Sequence, residues 1–392
     1  MVVRLRPALQ DMCLWKWALP LARLGGRSCH RGFDGIFGGM AVRFVMVLWL
    51  MILVAGSARV NGEGEETRFE RLSYGSSVDG TAPLYADVAY RPGSGRKPVL
   101  LVMHGYIGTR KHVTADLKQL APQGLFVIAP DMRGCGDSAG RWDSGGLDVH
   151  DIFDAARAAL ARWPEETDAG RVSVLGYSGG GGNAISCAVR FPDFFSTCVS
   201  FFGISDYADW HRSRTRADMV RRLESALGGP PEVVPDQYHA RDANAAAGNV
   251  STARVHLFWD VEEKNCPPKM VEEFVRNHHL AGGRQVDAHI SRPGDAARWR
   301  HGYRSGIDDL AKADPIFLPS VVRSAERGLD LPKRGRLVVP GYVVTKRFSV
   351  WVEDGTRGAV TVEYDQSGEA VRVDVIENRG DWKVRVGRGW TP

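Results

Sequence analysis

The chain has 392 residues, 44% of them hydrophobic and 25% charged, with a formal net charge of +5. That much apolar chain can bury one large core and a small second module. Its 41 arginines and ten lysines form no basic run interleaved with aromatics, so nucleic acid is excluded as a partner; with neither C-x-x-C nor H-E-x-x-H present, no metal site and no cofactor are expected.

Residues 1–39 lack sustained periodicity and read as a non-structural extension, with translation starting at Met40. Residues 40–58 combine basic Arg43, an apolar run from Phe44 to Ala55 and small residues from Gly56 to Ala58, the pattern of a signal peptide. The run is shorter than the roughly 20 residues of a spanning helix. A secreted or periplasmic protein without stable membrane association is therefore expected. Cys135, Cys187, Cys198 and Cys266 remain after the leader is removed, and they are read as buried thiols, with pairing in an oxidising compartment as the alternative.

A catalytic domain is expected over residues 67–325. "TRFERLSYGSS" and "LYADVAYRP" read as an antiparallel pair. The strand-like runs "PVLLVMHG", "LFVIAPDMRG", "RVSVLGYS", "STCVSFFG" and "ARVHLFWD" then alternate with helical spacing. The clearest helix is "LDVHDIFDAARAALARW", in which Val149, Ile152, Phe153, Ala156, Ala159 and Leu160 share a face and Pro164 ends the run. Such alternation predicts an α/β fold with a mostly parallel sheet covered by helices on both faces. Residues 205–250 break the rhythm with a helix and a Gly/Pro loop, a helical cap insertion whose arginines read as a solvated face more readily than as an anion site. From residue 333 to 392 apolar and polar residues alternate, with breaks at Asp354-Gly355, Ser367-Gly368 and Arg379-Gly380, so a small antiparallel β module is expected there. Trp351, Trp382 and Trp390 are assigned to packing within the module or against the catalytic domain rather than to sugar binding.

The chemistry points to "VSVLGYSGGGGNAIS" (172–186): a β-branched run, a serine ringed by glycines, then a helix. A serine on that turn is held in a strained backbone with its hydroxyl above the sheet edge. A phosphate-binding turn is disfavoured, because neither G-x-G-x-x-G nor a Lys-Ser/Thr pair is present. A hydroxyl is a weak nucleophile, so Ser178 needs a base, an orienting acid and donors for an oxyanion. The amides of Gly179 and of Tyr106 in "VMHGYIG" are the expected donors, with Gly105 permitting the turn and His104 bracing the loop. For the base, His278 and His279 are explained by a helix C-terminus and His289 by a strand, leaving His301 in "RWRHGY" on a late loop that Gly302 frees. "HLFWDVEEKNCPP" offers Asp260, Glu262 and Glu263 as the acid, and local chemistry leaves the three open.

In order, "HGY", "PDMRGCGDSAG", "GYSGGGG", "VRFPDFFSTCVSFFGISDY", "CPP" and the second "HGY" resemble the α/β-hydrolase superfamily, close to its prolyl-oligopeptidase-like and acetyl xylan esterase branches. In those relatives the acid often stands three residues before "CPP", which selects Glu263, although Trp259-Asp260 replaces the usual glycine turn and Glu replaces the usual Asp. The resemblance implies a serine hydrolase forming an acyl-enzyme. The space between residue 58 and the first central strand is too short for the propeller that filters peptides in prolyl oligopeptidases, so a carboxylic esterase acting on a small ester or acylated carbohydrate is the leading expectation. The alternatives are a prolyl-oligopeptidase-like peptidase acting on short peptides and a hydrolase-fold binding protein without turnover.

Overall fold

β-Branched and aromatic residues dominate the runs that form the central strands, and the alternation of their side chains decides what each face covers. In the computed structural model, which describes residues 66–93, 95–323 and 329–390, an eight-stranded sheet is built from β1 (Arg68–Tyr74), β2 (Leu84–Tyr90), β3 (Lys97–Met103), β4 (Phe126–Pro130), β5 (Thr167–Tyr177), β6 (Thr197–Phe201), β7 (Arg254–Asp260) and β8 (Val286–Ser291). The extension 1–39 and the signal segment 40–58 lie outside the described residues. The strand order is β1-β2-β4-β3-β5-β6-β7-β8; β2 runs antiparallel to β1 and β4, and the other pairs are parallel.

Period two is visible in β3. Val99, Leu101 and Met103 enter the core on one face with Val149, Ile152 and Phe153, whereas Leu100 and Val102 enter the core on the other with Leu117 and Phe317. The helices are α1 (Thr114–Leu120), α2 (Asp148–Arg162), α3 (Gly179–Arg190), α4 (Tyr207–Ser213), α5 (Ala217–Leu227), α6 (Pro235–His239), α7 (Lys269–Leu280) and α8 (Asp314–Arg323). Three of them, α4 to α6, fall in the segment between β6 and β7. Strand order reverses at β3: the chain goes outward to β4 and returns past β3 to β5. The loops that follow β3 and β5 therefore diverge from neighbouring strand ends, where open α/β sheets form their crevice.

The C-terminal strands are β9 (Arg334–Pro340), β10 (Tyr342–Val344), β11 (Phe348–Val352), β12 (Ala359–Asp365), β13 (Arg372–Glu377) and β14 (Val384–Arg388). They make two three-stranded antiparallel sheets, β13-β12-β9 and β10-β11-β14. The uninterrupted alternation of 335–355 is cut in two places. Gly341, at φ +74°, turns the chain between β9 and β10, and the Thr345 hydroxyl pairs with the Phe348 carbonyl at 2.7 Å to close the next turn. Trp351 stacks on Tyr342 and packs near His150 of α2, and Trp390 meets Phe194 edge-on, so both serve the junction with the catalytic domain. Trp382 packs beside the module's own core. The four cysteines are buried free thiols, so the pairing alternative is not realised. Among the described residues no helix is long and apolar enough to cross a membrane.

Candidate active site

Ser178 stands where β5 ends and α3 begins, with φ +56° and ψ −118°, a conformation costing about 1–3 kcal/mol for a residue with a side chain. Two hydrogen bonds hold it there: its amide donates to the Phe201 carbonyl, and its carbonyl accepts from the Gly182 amide, both at 2.9 Å. The surrounding glycines are required by close approach, not by positive φ. A Cβ on Gly176 would run into the Gly180 carbonyl, and one on Gly180 into the His104 carbonyl. Strand, elbow and helix therefore pack backbone against backbone, and the serine is the side chain left projecting.

The loop after β3 lies against this elbow. A Cβ on Gly179 would fall 3.0 Å from the Tyr106 amide nitrogen, so the two expected donors are neighbours. Neither amide has a protein acceptor among the described residues. His104 holds the loop as expected: its ring bonds the Gly105 carbonyl at 2.8 Å and accepts from the Met132 amide at 3.2 Å, and burial pushes its pKa down to about 4. Gly105 opens a tight turn, its carbonyl accepting from the Gly108 amide at 2.8 Å, and its missing side chain makes room for the Tyr303 hydroxyl, which accepts from the Gly105 amide at 2.8 Å. Gly302 is likewise a packing glycine, against Ile307, and its φ is not positive.

His301 follows β8 on a loop pinned three residues away on either side. Arg298 makes a two-pronged pair with Asp260, Nε to Oδ2 at 2.6 Å and Nη2 to Oδ1 at 2.5 Å. Arg304 reaches the buried Asp116 at 3.0 Å and Asp314 at 2.5 Å. Between these anchors the imidazole lies 4.9 Å from the Phe202 ring, centroid to centroid, and its Nδ1 is 3.1 Å from Glu263 Oε1. The same Glu263 oxygen accepts from the amides of Asn265 and Cys266 at 2.6 and 3.1 Å. Burial pushes the Glu263 carboxyl up, but the hydrogen bond and charge of His301 and the two amides outweigh it and leave the group below the ordinary glutamate value.

The three candidate acids thus have separate partners. Glu263 meets His301, Asp260 is held by Arg298 and by the Ser291 hydroxyl at 2.6 Å, and Glu262 is exposed and touches Arg298 at 3.0 Å. The rejected histidines lie elsewhere: the His278 ring bonds Ala247 O, and His289 pairs with His256 at 3.1 Å. In the resting arrangement the Ser178 hydroxyl is 3.7 Å from the Cys266 sulfur. Burial pushes that thiol up to about 12, so it is a poor nucleophile beside a serine. Sequence reasoning missed Cys266, Tyr303 and the clamp by Arg298 and Arg304; the second "HGY" was the available signal for Tyr303, because it repeats the oxyanion-loop motif two residues beyond the base.

A pocket of about 190 Å³ opens on Ser178 and His301, walled by Tyr106, Trp210, Met219 and Cys266. Strand-to-helix elbow, acid-held imidazole and free amides on a mostly parallel sheet define an α/β-hydrolase of the serine type, an enzyme class. Within it, residues 79–303, more than half of the chain, match the X-Pro dipeptidyl-peptidase (S15) family, and the chain belongs to that family. The uncharacterized peptidase YtmA of Bacillus subtilis (strain 168) is 32% identical over 123 residues, which are 31% of this chain and 46% of that protein. Among solved structures, the acylaminoacyl peptidase of Pyrococcus horikoshii matches with a TM-score of 0.54 at 18% identity, over 68% of this chain and 43% of that one. A puromycin-hydrolyzing peptidase of Mycobacterium tuberculosis matches with a TM-score of 0.51 at 22% identity, over 68% and 39%. At these identities the two structures show the shared fold, and the chain spans less than half the length of each of these relatives.

Proposed function

We propose that this serine hydrolase is an exported carboxylic esterase acting on small esters or acylated carbohydrate. Ser178 Oγ attacks the acyl carbonyl and its proton passes to His301. Glu263 fixes the ring through Nδ1 and stabilises the imidazolium, while the Tyr106 and Gly179 amides take the charge that develops on the carbonyl oxygen. His301 returns the proton to the leaving alcohol, and a water activated by the same ring then releases the acyl group and restores Ser178.

The observation that carries the ester reading is the pocket wall. Cleaving dipeptides from a free amino terminus calls for an anion to hold the substrate's ammonium, and none of the described residues lining the pocket is a carboxylate. The nearby Glu263 is already engaged by His301 and two amides. An ester also has the better leaving group and needs less positioning than an amide. Membership of a family named for X-Pro dipeptidyl-peptidases favours the second reading, a peptidase acting on short peptides.

Assays of p-nitrophenyl acetate, acetylated xylan and proline-containing peptide amides, run side by side, test the order. Efficient peptide cleavage with poor ester turnover reverses it. A fluorophosphonate probe is expected to label the wild type and leave Ser178→Ala unlabelled; an unlabelled wild type would instead indicate a binding protein. Export rests on residues 40–58, and a mature amino terminus near Arg59 is expected from protein made in its own host.

A further inference from the structure

Among the described residues that line the pocket, one side chain is permanently charged, and it is a cation. Arg216 sits immediately before α5 and lines the pocket with Ser178, Cys266, Trp210 and Met219. Its charge is felt close to the nucleophile: among the influences on the Cys266 thiol, burial and Glu263 raise its pKa, while Ser178 and the Arg216 guanidinium lower it. That thiol is the group 3.7 Å from Ser178 Oγ. Three other cations of this region have different work. Arg222 lies over the Trp142 ring, and Arg212 and Lys269 pair with Asp209.

Arg216 is only partly spoken for. Its Nε and Nη2 reach Asp218 at 3.3 and 3.1 Å, and Nη1 has no partner among the described residues. The two side chains are 39% and 55% exposed, and exposed ion pairs of this kind contribute little. Asp218 does not line the pocket. The guanidinium can therefore present its fork to a second carboxylate without breaking anything costly.

We infer that the pocket selects short esters that carry a free carboxylate, such as half-esters of small dicarboxylic acids, and that Arg216 is the residue that selects them. The inference rests on the esterase reading and adds to it a charge preference. A carboxylate entering the pocket gains a two-pronged partner there, whereas an ammonium of the same length meets a like charge. The small volume limits the chain between ester and carboxylate to a few atoms.

The test compares kcat/KM for monoethyl succinate, ethyl valerate and ethyl 4-aminobutanoate in the wild type, Arg216→Gln and Arg216→Glu. In the wild type the anionic ester should exceed the neutral one by roughly tenfold, the worth of one charge-assisted contact, and the cationic ester should be the poorest. The anionic-to-neutral ratio should fall with added salt, approach one in Arg216→Gln and drop below one in Arg216→Glu. Turnover of all three esters at similar rates by the wild type, or a ratio unmoved by Arg216→Gln, overturns the charge selection and leaves the esterase reading standing. A wild type that cleaves peptide amides and none of the esters overturns both.

Discussion

The catalytic sheet and the C-terminal strands solve the problem of burial in opposite ways. Strand β3 is buried along its whole length, and β4 and β6 are as well, so the sheet is stable through its own two cores and leaves chemistry to the loops at its edge. In the module, β13 and β14 are largely exposed, and the fully buried strands are β10 and β11. Both lean on the catalytic domain through their aromatic rings, Trp351 near His150 and Tyr342 near Arg190: the buried Arg190 guanidinium lies 4.7 Å from the Tyr342 ring centroid and donates to the Gly146 carbonyl at 2.9 Å. The module's stability is thus borrowed at the junction, whereas the site's geometry is set by ion pairs that tie the His301 loop to strands and helices. Changes at the residues that touch His301 should remove activity and spare stability, and changes at the junction should do the reverse.

The largest separation is expected within one loop. Glu263→Gln keeps an oxygen for the Asn265 and Cys266 amides but removes the charge that steadies His301, so kcat should fall roughly 10³–10⁴-fold with little change in Tm. Asp260→Asn weakens the partly buried pair with Arg298 and should lower Tm, with a smaller loss of kcat. Measured together, the two variants discriminate an orienting acid from a structural one. If Asp260→Asn is the more damaging to kcat at a temperature where it remains folded, the roles of the two acids are exchanged.

At the junction, Asn249 is the sharpest lever. Its amide pairs in both directions with Val338, Nδ2 to the carbonyl at 2.7 Å and the Val338 amide to Oδ1 at 3.0 Å, and Nδ2 also reaches the Val189 carbonyl at 3.0 Å. A side chain here does what a neighbouring strand would do for the open edge of β9. Asn249→Ala leaves three backbone groups without this partner and should cost about 3–5 kcal/mol in urea unfolding, while folded protein keeps its kcat.

These contrasts also explain what could be read in advance. Strand and helix runs of the catalytic domain were legible because parallel strands buried on both faces must be apolar throughout, and the crossovers between them leave few orders open. That Ser178, His301 and the Tyr106 loop would meet at one pocket was legible because a strained elbow and its partners demand particular residue types at particular places. The choice among Asp260, Glu262 and Glu263 came from the spacing to "CPP" in related sequences and not from local chemistry, since all three are acids within four positions and the partner that draws Asp260 away, Arg298, is 38 residues beyond it in sequence. The module shows the same limit. Alternation marked its strands, but it carries no information on pairing, and β14 joins β11 across the intervening β12 and β13.

The smallest predicted effect concerns pH at the junction. Asp193 is buried, accepts from the Lys346 amide at 2.9 and 3.1 Å and from the Trp390 indole at 3.3 Å, and is pushed up to about 6 by burial, which these donors offset only in part. Its folded pKa therefore lies above the ordinary aspartate value of about 3.9. Between those two values the folded chain holds a proton that the unfolded chain has released. The stabilisation from this group is complete below about pH 4 and is lost as pH rises through about 6. Asp193→Asn keeps an acceptor for Lys346 and Trp390 and cannot ionise, so the variant should gain on the wild type by about 2–3 kcal/mol between pH 4 and pH 7.5 in urea unfolding. The difference between the two proteins is the quantity to follow, because other groups that titrate in both cancel from it. A difference that stays constant across that range would mean that Asp193 is ionised in the folded protein throughout, and that the module docks on a charged partner instead of a neutral one.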